Sequence, residues 1–494
     1  MSRCTRTNWS CICGIDLEFS PSILRLLAVT NFMQNKSTSA SVPASRREFI
    51  RQTAIATAAV AASPLLRPTV YGQAPSTGKV IGANDRINIG YIGVGNQGLN
   101  IHVGLLKKSA AQNNIAQVAV CDVWTKRVGN AKALIEQDNP TAKVDTYSEY
   151  QKLLERKDID AVVVATHDPH HAPATIAALE SGKHVYCEKP VSRYLEEGFA
   201  VHDAVKKTGK ILQIGSQGCS AAGWHKAAEL IKADKIGQLV WAQGYYCRNS
   251  KEGEWNKTQI DEAMTATAID WERWLGRVSK RPFNAEHYAR WRKFYPFCAG
   301  LLGDLVPHRL LPLMLATGNP QFPSRVVCIG TKKFQSDKGT PGSLERDVAE
   351  HIEILAEFPS GLTLTIVASG VSARSPGFAI YGHKASLEIG TSGERVKLMP
   401  EKDFADEIDD ESLDGLKPIE DFDVHHKNWL DSIRANVQPN CNIDLAMRAQ
   451  TVISLAEMSE RLKIACLFDE KTRKITTGDG KEVKPITYGT LPLS

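Results

Sequence analysis

Two short blocks of the 494-residue chain hold side chains that can manage a proton or a developing negative charge. In SGKHVYCEKPVS, Glu188 and Lys189 precede Pro190, which disfavours a helical backbone at Lys189 and keeps the pair extended. An ammonium fixed in that way can stabilise an oxyanion forming beside it. In CAGLLGDLVPHRLLPLMLATG, Asp304 and His308 are spaced i, i+4, so both project from one face if the segment is helical. Imidazole titrates near working pH and suits the acceptance of a hydroxyl proton. Pro307 is tolerated there if Asp304 to Pro307 form the first turn of the helix. The plainer alternatives are a surface Glu-Lys pair and a capping Asp beside a satisfied His.

These groups need a scaffold, and the pattern from Arg86 onward supplies one. Short apolar runs at 87–92, 115–121, 143–147, 159–165, 184–187 and 211–215 alternate with helix-like segments at 99–110, 124–137, 172–181 and 194–208. Strands joined by helical crossovers predict an α/β doubly wound parallel sheet of the Rossmann type over residues 84–218. Glu188 and Lys189 then fall at the C-terminal end of the fifth strand, where ligands sit in open α/β sheets.

The loop YIGVGNQGLN follows the first strand and precedes a helix. Gly93, Gly95 and Gly98 supply a tight turn, close approach to a pyrophosphate and close helix-to-strand packing, with Asn96 and Gln97 between them. Asp122 ends the second strand 24 residues beyond Gly98. A carboxylate there accepts from a ribose 2′-OH and repels a 2′-phosphate, which favours NAD; Lys126 and Arg127 leave NADP open. Capping of the next helix is the other role for Asp122.

After residue 218 the pattern changes to longer runs with strand character at 237–248, 325–333, 349–358, 362–369 and 378–389. HIEILAEF and LTLTIVAS alternate as strands with one covered face do. Residues 219–465 are read as an α+β domain with an open, mostly antiparallel sheet, followed by a tail at 466–494. Helices at 423–435 and 445–462 are expected to pack back on the first domain. The insert at 249–297 is rich in aromatics and Arg. Trp271, Trp274, Trp291, Arg290 and Arg292 in it can offer flat faces and forked donors to a sugar or acidic sugar, or can pack between domains.

Residues 1–74 carry eight basic and three acidic residues, a net of +5 equal to that of the whole chain, so the remainder is formally neutral. A neutral body argues against nucleic-acid or anionic-membrane partners, and no run of 18 apolar residues predicts an integral membrane segment. Eight cysteines beyond the leader, without C-x-x-C, read as reduced core thiols. SRREFIRQTAIATAAVAAS, residues 45–63, resembles a twin-arginine (Tat) leader, which implies export to the periplasm or beyond by the Tat machinery. A start at Met33 would place Arg46 13 residues from the N-terminus.

The glycine loop, GKHVYCEKP and the two-part layout together resemble the Gfo/Idh/MocA family of NAD(P)-dependent oxidoreductases, over residues 84 to about 465. The Asp304 block is similar to that family's G-G-x-x-x-D-x-x-x-H pattern, with Ala299 for the first glycine. The resemblance implies that Glu188 contacts the nicotinamide ribose, that Lys189 meets the substrate's reacting oxygen, that His308 accepts the hydroxyl proton and that Asp304 orients it. Removing hydride from a secondary alcohol requires that proton to leave as well. VATHDPHHA is similar to the family's T-P-N-x-x-H, which puts Thr166 and His171 on the cofactor side, with His167 and Asp168 in place of Pro-Asn. A metal site is not expected from His167, Asp168, His170 and His171, since ligands on one tight loop seldom converge tetrahedrally.

The expected protein is an exported NAD(P)-dependent oxidoreductase acting on a secondary hydroxyl of a sugar, cyclitol or polyol, assembled as a homo-oligomer. Export implies a tightly held nucleotide, because free dinucleotide is scarce outside the cytoplasm. An NAD-recycling glycoside hydrolase on the same site is one alternative, and a non-catalytic sugar or cofactor sensor another.

Overall fold

The computed structural model describes residues 85–137, 142–417 and 421–491. The leader expected at 1–74, with its twin-arginine block and Met33, lies outside them.

Six parallel strands form the first sheet: β1 (Ile87–Ile92), β2 (Ile115–Cys121), β3 (Asp145–Tyr147), β4 (Ala161–Val164), β5 (His184–Glu188) and β6 (Leu212–Gly215), in the order β3-β2-β1-β4-β5-β6. The central strands are buried almost throughout, as a parallel sheet covered on both faces requires. The order reverses between β1 and β4, and the glycine loop emerges at that switch point.

Gly93 has φ +86°, and a Cβ there would lie 2.7 Å from the carbonyl oxygen of Ala165. A Cβ on Gly98 would lie 2.2 Å from the carbonyl oxygen of Gly93. The loop, the end of β4 and the start of α1 therefore touch backbone to backbone. Helix α1 opens as a π-wound segment, Gln97–Val103, and continues in α form through Gly104–Lys108.

One face of this sheet packs under α1 and a late helix, α8 (Phe422–Ala435), through Tyr91, Leu106, Tyr186, Trp429 and Leu430. The other face, with Leu179, Phe199 and Leu212, is continuous with the core of the second domain. Helix α9 (Ile443–Leu462) is buried for most of its length and packs against α4 (Leu195–Thr208) and the second sheet. The two late helices thus bind the domains together.

The second sheet has ten strands, β7 (Leu239–Cys247), β8 (Arg325–Thr331), β9 (His351–Glu357), β10 (Thr363–Ser369), β11 (Phe378–Gly382), β12 (Ala385–Ile389), β13 (Val396–Pro400), β14 (Glu411–Leu413), β15 (Cys466–Asp469) and β16 (Lys474–Thr476). Only β7 and β10 pair in parallel. The alternation read in β9 and β10 is present: Ile352, Ile354, Leu364 and Ile366 face the core, while Leu355 is exposed.

Three expectations are corrected. The run 378–389 is a hairpin rather than one strand, because the chain turns at His383 and Lys384 before β12 pairs back on β11. Asp304 and His308 do not share a helix: α6 (Leu301–Asp304) ends at the aspartate, and α7 (Pro307–Ala316) begins with Pro307 at its first position. A proline lacks the N–H that a helix interior needs, so it starts the second helix. Residues from 466 onward, read as a tail, add β15 and β16 to the sheet through pairing of β15 with β8.

Gly98→Ala tests the backbone contact at the cofactor loop. The added methyl is expected to cost about 1–3 kcal/mol through overpacking, read as a lowered melting temperature together with weakened nucleotide retention.

Candidate active site

The glycine loop borders a cleft of about 790 Å³ at the C-terminal edge of the first sheet. Gly93, Gly95, Asn96, Gln97, Asp122 and Thr166 line it on the sheet side. The insert forms the opposite wall through Thr258, Met264, Trp274, Tyr288, Trp291 and Arg292. It is fastened there by backbone and charge: Asp270 N–H donates to Val123 O at 3.0 Å, Lys126 pairs with Asp261, and Arg273 pairs with Glu149. Trp124, Trp274, Tyr288 and Phe297 pack together behind that wall.

The residues present fit a dinucleotide. Three glycines keep the loop bare, and a Cβ on Gly95 would stand 3.2 Å from the guanidinium of Arg127. That guanidinium lies over the rings of Trp124 and Tyr288 at 5.4 and 4.9 Å, which holds a cation beside the bare loop. Asp122 lines the cleft, and its carboxylate ties the loop in place. Oδ2 accepts from Val94 N–H at 2.9 Å and Oδ1 from Trp124 N–H at 3.0 Å. Its local bonds to the backbone thus accompany any contact to ribose.

The remaining cofactor-side residues separate into lining and support. Thr166 faces the cleft, whereas His171 is buried and braces two loops, with Nδ1 2.7 Å from Pro190 O and Nε2 3.1 Å from Thr166 O. Glu188 lies one hydrogen bond behind the lining, accepting from Gln97 Nε2 at 3.0 Å and from His102 at 2.9 Å. Burial would raise its pKa, but the hydrogen bond from His102, with the Lys189 charge and the Gln97 hydrogen bond, holds the carboxyl down at about 2.

Lys189, Asp304 and Arg292 converge although they come from three separate segments. Lys189 Nζ donates to Asp304 Oδ1 and to Asp304 O, both at 2.7 Å. Arg292 Nε donates to the same Oδ1 at 2.9 Å, and Trp255 Nε1 donates to Oδ2 at 2.8 Å. Burial opposes ionisation of Asp304, yet the charges of Arg292 and Lys189 keep it well below the usual carboxylate range. Asp304 is therefore a fixed anion that aims the lysine. His308 is half-buried beside them, pushed down to about 3 by burial and then by the Lys189 charge, so its ring is neutral.

The five insert residues singled out by type also divide. Trp271 stacks on Trp274 at 4.6 Å and Arg290 is buried on Glu286 and Thr258 O, so Trp271 and Arg290 serve packing, while Trp274 both packs and lines the cleft. Trp291 and Arg292 line the cleft, with the guanidinium 4.2 Å over the indole. His167 stacks on Trp274 at 4.1 Å. Among the described residues no group of three His, Cys, Asp or Glu could hold a metal ion. Trp255, His102 and His426 were not legible as site residues, since no spacing links them to either block. The eight cysteines beyond the leader are free thiols, seven of them buried.

Fold and cleft define a two-domain dinucleotide-binding protein, a Rossmann domain joined to an α+β domain. Residues 87–216 match the family model described as GFO_IDH_MocA, oxidoreductase family, NAD-binding Rossmann fold. The chain is 27% identical over 237 residues to a glycosyl hydrolase family 109 protein of Shewanella sp. strain W3-18-1, covering 46% of this chain and 50% of the relative. It is 26% identical over 233 residues to inositol 2-dehydrogenase of Salmonella typhimurium strain LT2, covering 47% and 65%. The aligned regions thus span about half to two thirds of these curated relatives. A solved levoglucosan dehydrogenase in complex with NADH shares the fold, with a TM-score of 0.57 at 18% identity over 76% of this chain and 97% of that one.

The buried imidazoles set a pH dependence. Burial is the main cause that lowers His308 to about 3, His184 and His425 to about 4, and His167 and His426 well below the ordinary range. The unfolded chain protonates these rings near pH 6.5, so between that pH and about 4 the unfolded state binds more protons. Stability then rises with pH and is lost on acidification. Melting temperatures measured from pH 7.5 down to 4.5 are expected to fall steadily, and His425→Asn is expected to flatten the slope.

Proposed function

We propose that the protein is an NAD-dependent oxidoreductase acting on a secondary hydroxyl of a sugar, cyclitol or polyol. The observation that carries this reading is the Lys189 ammonium, held at 2.7 Å by Asp304 beside the neutral ring of His308, next to the dinucleotide cleft. A bound nicotinamide supplies the hydride acceptor. Lys189 stabilises the alkoxide that forms as the hydroxyl proton departs, and His308 accepts that proton. Asp304 and Arg292 fix the lysine, and Thr166 and the glycine loop orient the cofactor. NADP is disfavoured by the Asp122 carboxylate, although Arg127 lies near.

Lys189→Ala and His308→Ala are each expected to lower turnover by about 10²–10⁴ with nucleotide still bound. The test is a screen of polyols and aryl glycosides by absorbance at the reduced-nicotinamide band, with retained nucleotide identified by mass. Unchanged turnover in both variants would sink the assignment and favour a sensor.

A second reading, NAD-recycling glycoside hydrolysis, is favoured by the insert wall along the cleft, which adds contacts that would hold a nucleotide through a full cycle, and by the likeness to a glycosyl hydrolase family 109 protein. A hydrolase releases aglycone without accumulating NADH, and the same screen separates the two. Export through the Tat route completes this proposal: a protein carrying its nucleotide must fold before it leaves the cytoplasm. The open face of the second sheet exposes Ile329 (74%) and Leu355 (53%) and stacks Trp241 on Tyr381, which supports a homo-oligomer. Ile329→Glu with Leu355→Glu is expected to shift the sedimentation mass toward the monomer.

A further inference from the structure

Behind the glycine loop lies a row of buried groups that the proposed hydride chemistry leaves unused. Oε1 of Glu188 takes two donors from α1, Gln97 Nε2 at 3.0 Å and His102 Nε2 at 2.9 Å. These two residues are five apart. On an α-helix such a pair diverges by about 140° around the axis. The π winding of Gln97–Val103, with its wider turn, brings them toward one face. That local geometry lets both side chains reach a single carboxylate oxygen.

His102 is fully enclosed, and its other nitrogen, Nδ1, lies 2.9 Å from Nε2 of His426 on α8. Tyr186 of β5 meets the two rings at 5.0 and 5.3 Å, and His425 lies 5.8 Å from Tyr186. With Lys189 and Cys187, the neighbours of Glu188 in the chain, and His308, whose ring feels the Glu188 charge, these are the titratable and charged groups that face the row. Nδ1 of His426 is buried without a hydrogen-bond partner among the described residues.

His102 and His426 share one proton along their contact. With that proton on His426, the row is a carboxylate and two neutral rings, net −1. A second proton added at His426 Nδ1 moves the shared one to His102, giving a carboxylate–imidazolium pair of net zero charge. His426 keeps one unpaired buried nitrogen in both states, so hydrogen-bond satisfaction does not choose between them. Electrostatics does. Gln97 lines the cleft and bonds the same carboxylate oxygen, so a positive charge in the cleft opposes the second proton and a neutral ring does not.

We infer that Glu188, His102 and His426 form a redox-linked proton store, holding one more proton when the nicotinamide in the cleft is reduced. The inference rests on the dinucleotide reading of the cleft. Alcohol oxidation sends a hydride to the nicotinamide and a proton through His308 to solvent, while the row takes one proton from solvent. Hydride return reverses both movements. Each half of an oxidation and re-reduction cycle then exchanges no net proton. His102 and His426 are positioning residues here, acting through Glu188.

The test compares protein carrying ¹⁵N-labelled histidine loaded with NAD and, separately, with NADH. Ring-nitrogen shifts report protonation, and calorimetry in two buffers of different ionisation enthalpy counts protons taken up on binding. The expected result is one histidine converted to imidazolium in the reduced complex, with about one proton more taken up with NADH than with NAD. Both effects should vanish in His102→Gln, which keeps an amide donor to Glu188 but cannot be charged, and in His426→Phe. A purely structural role would leave the proton count unmoved by these changes. Wild-type spectra decide the matter if either variant misfolds. Binding of both nucleotides with equal proton counts would overturn the store alone, whereas failure to bind either would defeat the cofactor reading as well.

Discussion

The carboxylate of Asp304 is the point on which the site depends. Lys189 from the first domain, Arg292 and Trp255 from the insert and the backbone turn between α6 and α7 all meet at this one group. A buried anion is costly unless it is paired and fully hydrogen-bonded, and here each oxygen has a donor. Loss of any one partner would leave charge uncompensated in the interior, so the three segments are held in register by the cost of separating them. The same satisfaction leaves no free oxygen on Asp304 to accept a proton, which is why the proposed mechanism gives that task to His308.

A second constraint acts at the cofactor loop, where Gly93 and Gly98 let the chain approach itself at backbone distance. Asp122 reinforces that turn by accepting from Val94 and Trp124 N–H groups. The loop and the lysine are therefore placed by separate means, one steric and one electrostatic. Behind the loop runs the buried Glu188–His102–His426 row. The insert adds closure, since its aromatic cluster packs on Trp124 at the end of β2 and brings Trp291 and Arg292 to the cleft.

Much of the fold was legible in periodicity. The strands β1, β2 and β4 to β6 were readable because parallel strands covered on both faces are continuous apolar runs, and β9 and β10 because one covered face imposes alternation. The short strands β13 to β16 at the two ends of the second sheet give a weaker signal and are defined by their neighbours' hydrogen bonds. The hairpin at 378–389 is marked only by the short polar turn Gly382-His383-Lys384 between two largely buried strands, too brief a break to separate from one continuous strand. The break between α6 and α7 was marked by Pro307, but a proline states only that a helix starts or bends there.

By itself the sequence determined the doubly wound domain, the glycine loop and the residue types at the ends of its strands, since these follow from local chemistry: φ > 0, close backbone approach and apolar periodicity. It also placed Lys189, Asp304 and His308 in blocks able to handle a proton. Only the tertiary structure decided that Arg292 and Trp255 share the carboxylate of Asp304, that Trp271 and Arg290 serve packing, that His171 braces loops, and that His102 meets His426 324 positions away. Pairing of buried polar groups is settled by which segments the core brings within hydrogen-bond distance, and no local pattern carries that information.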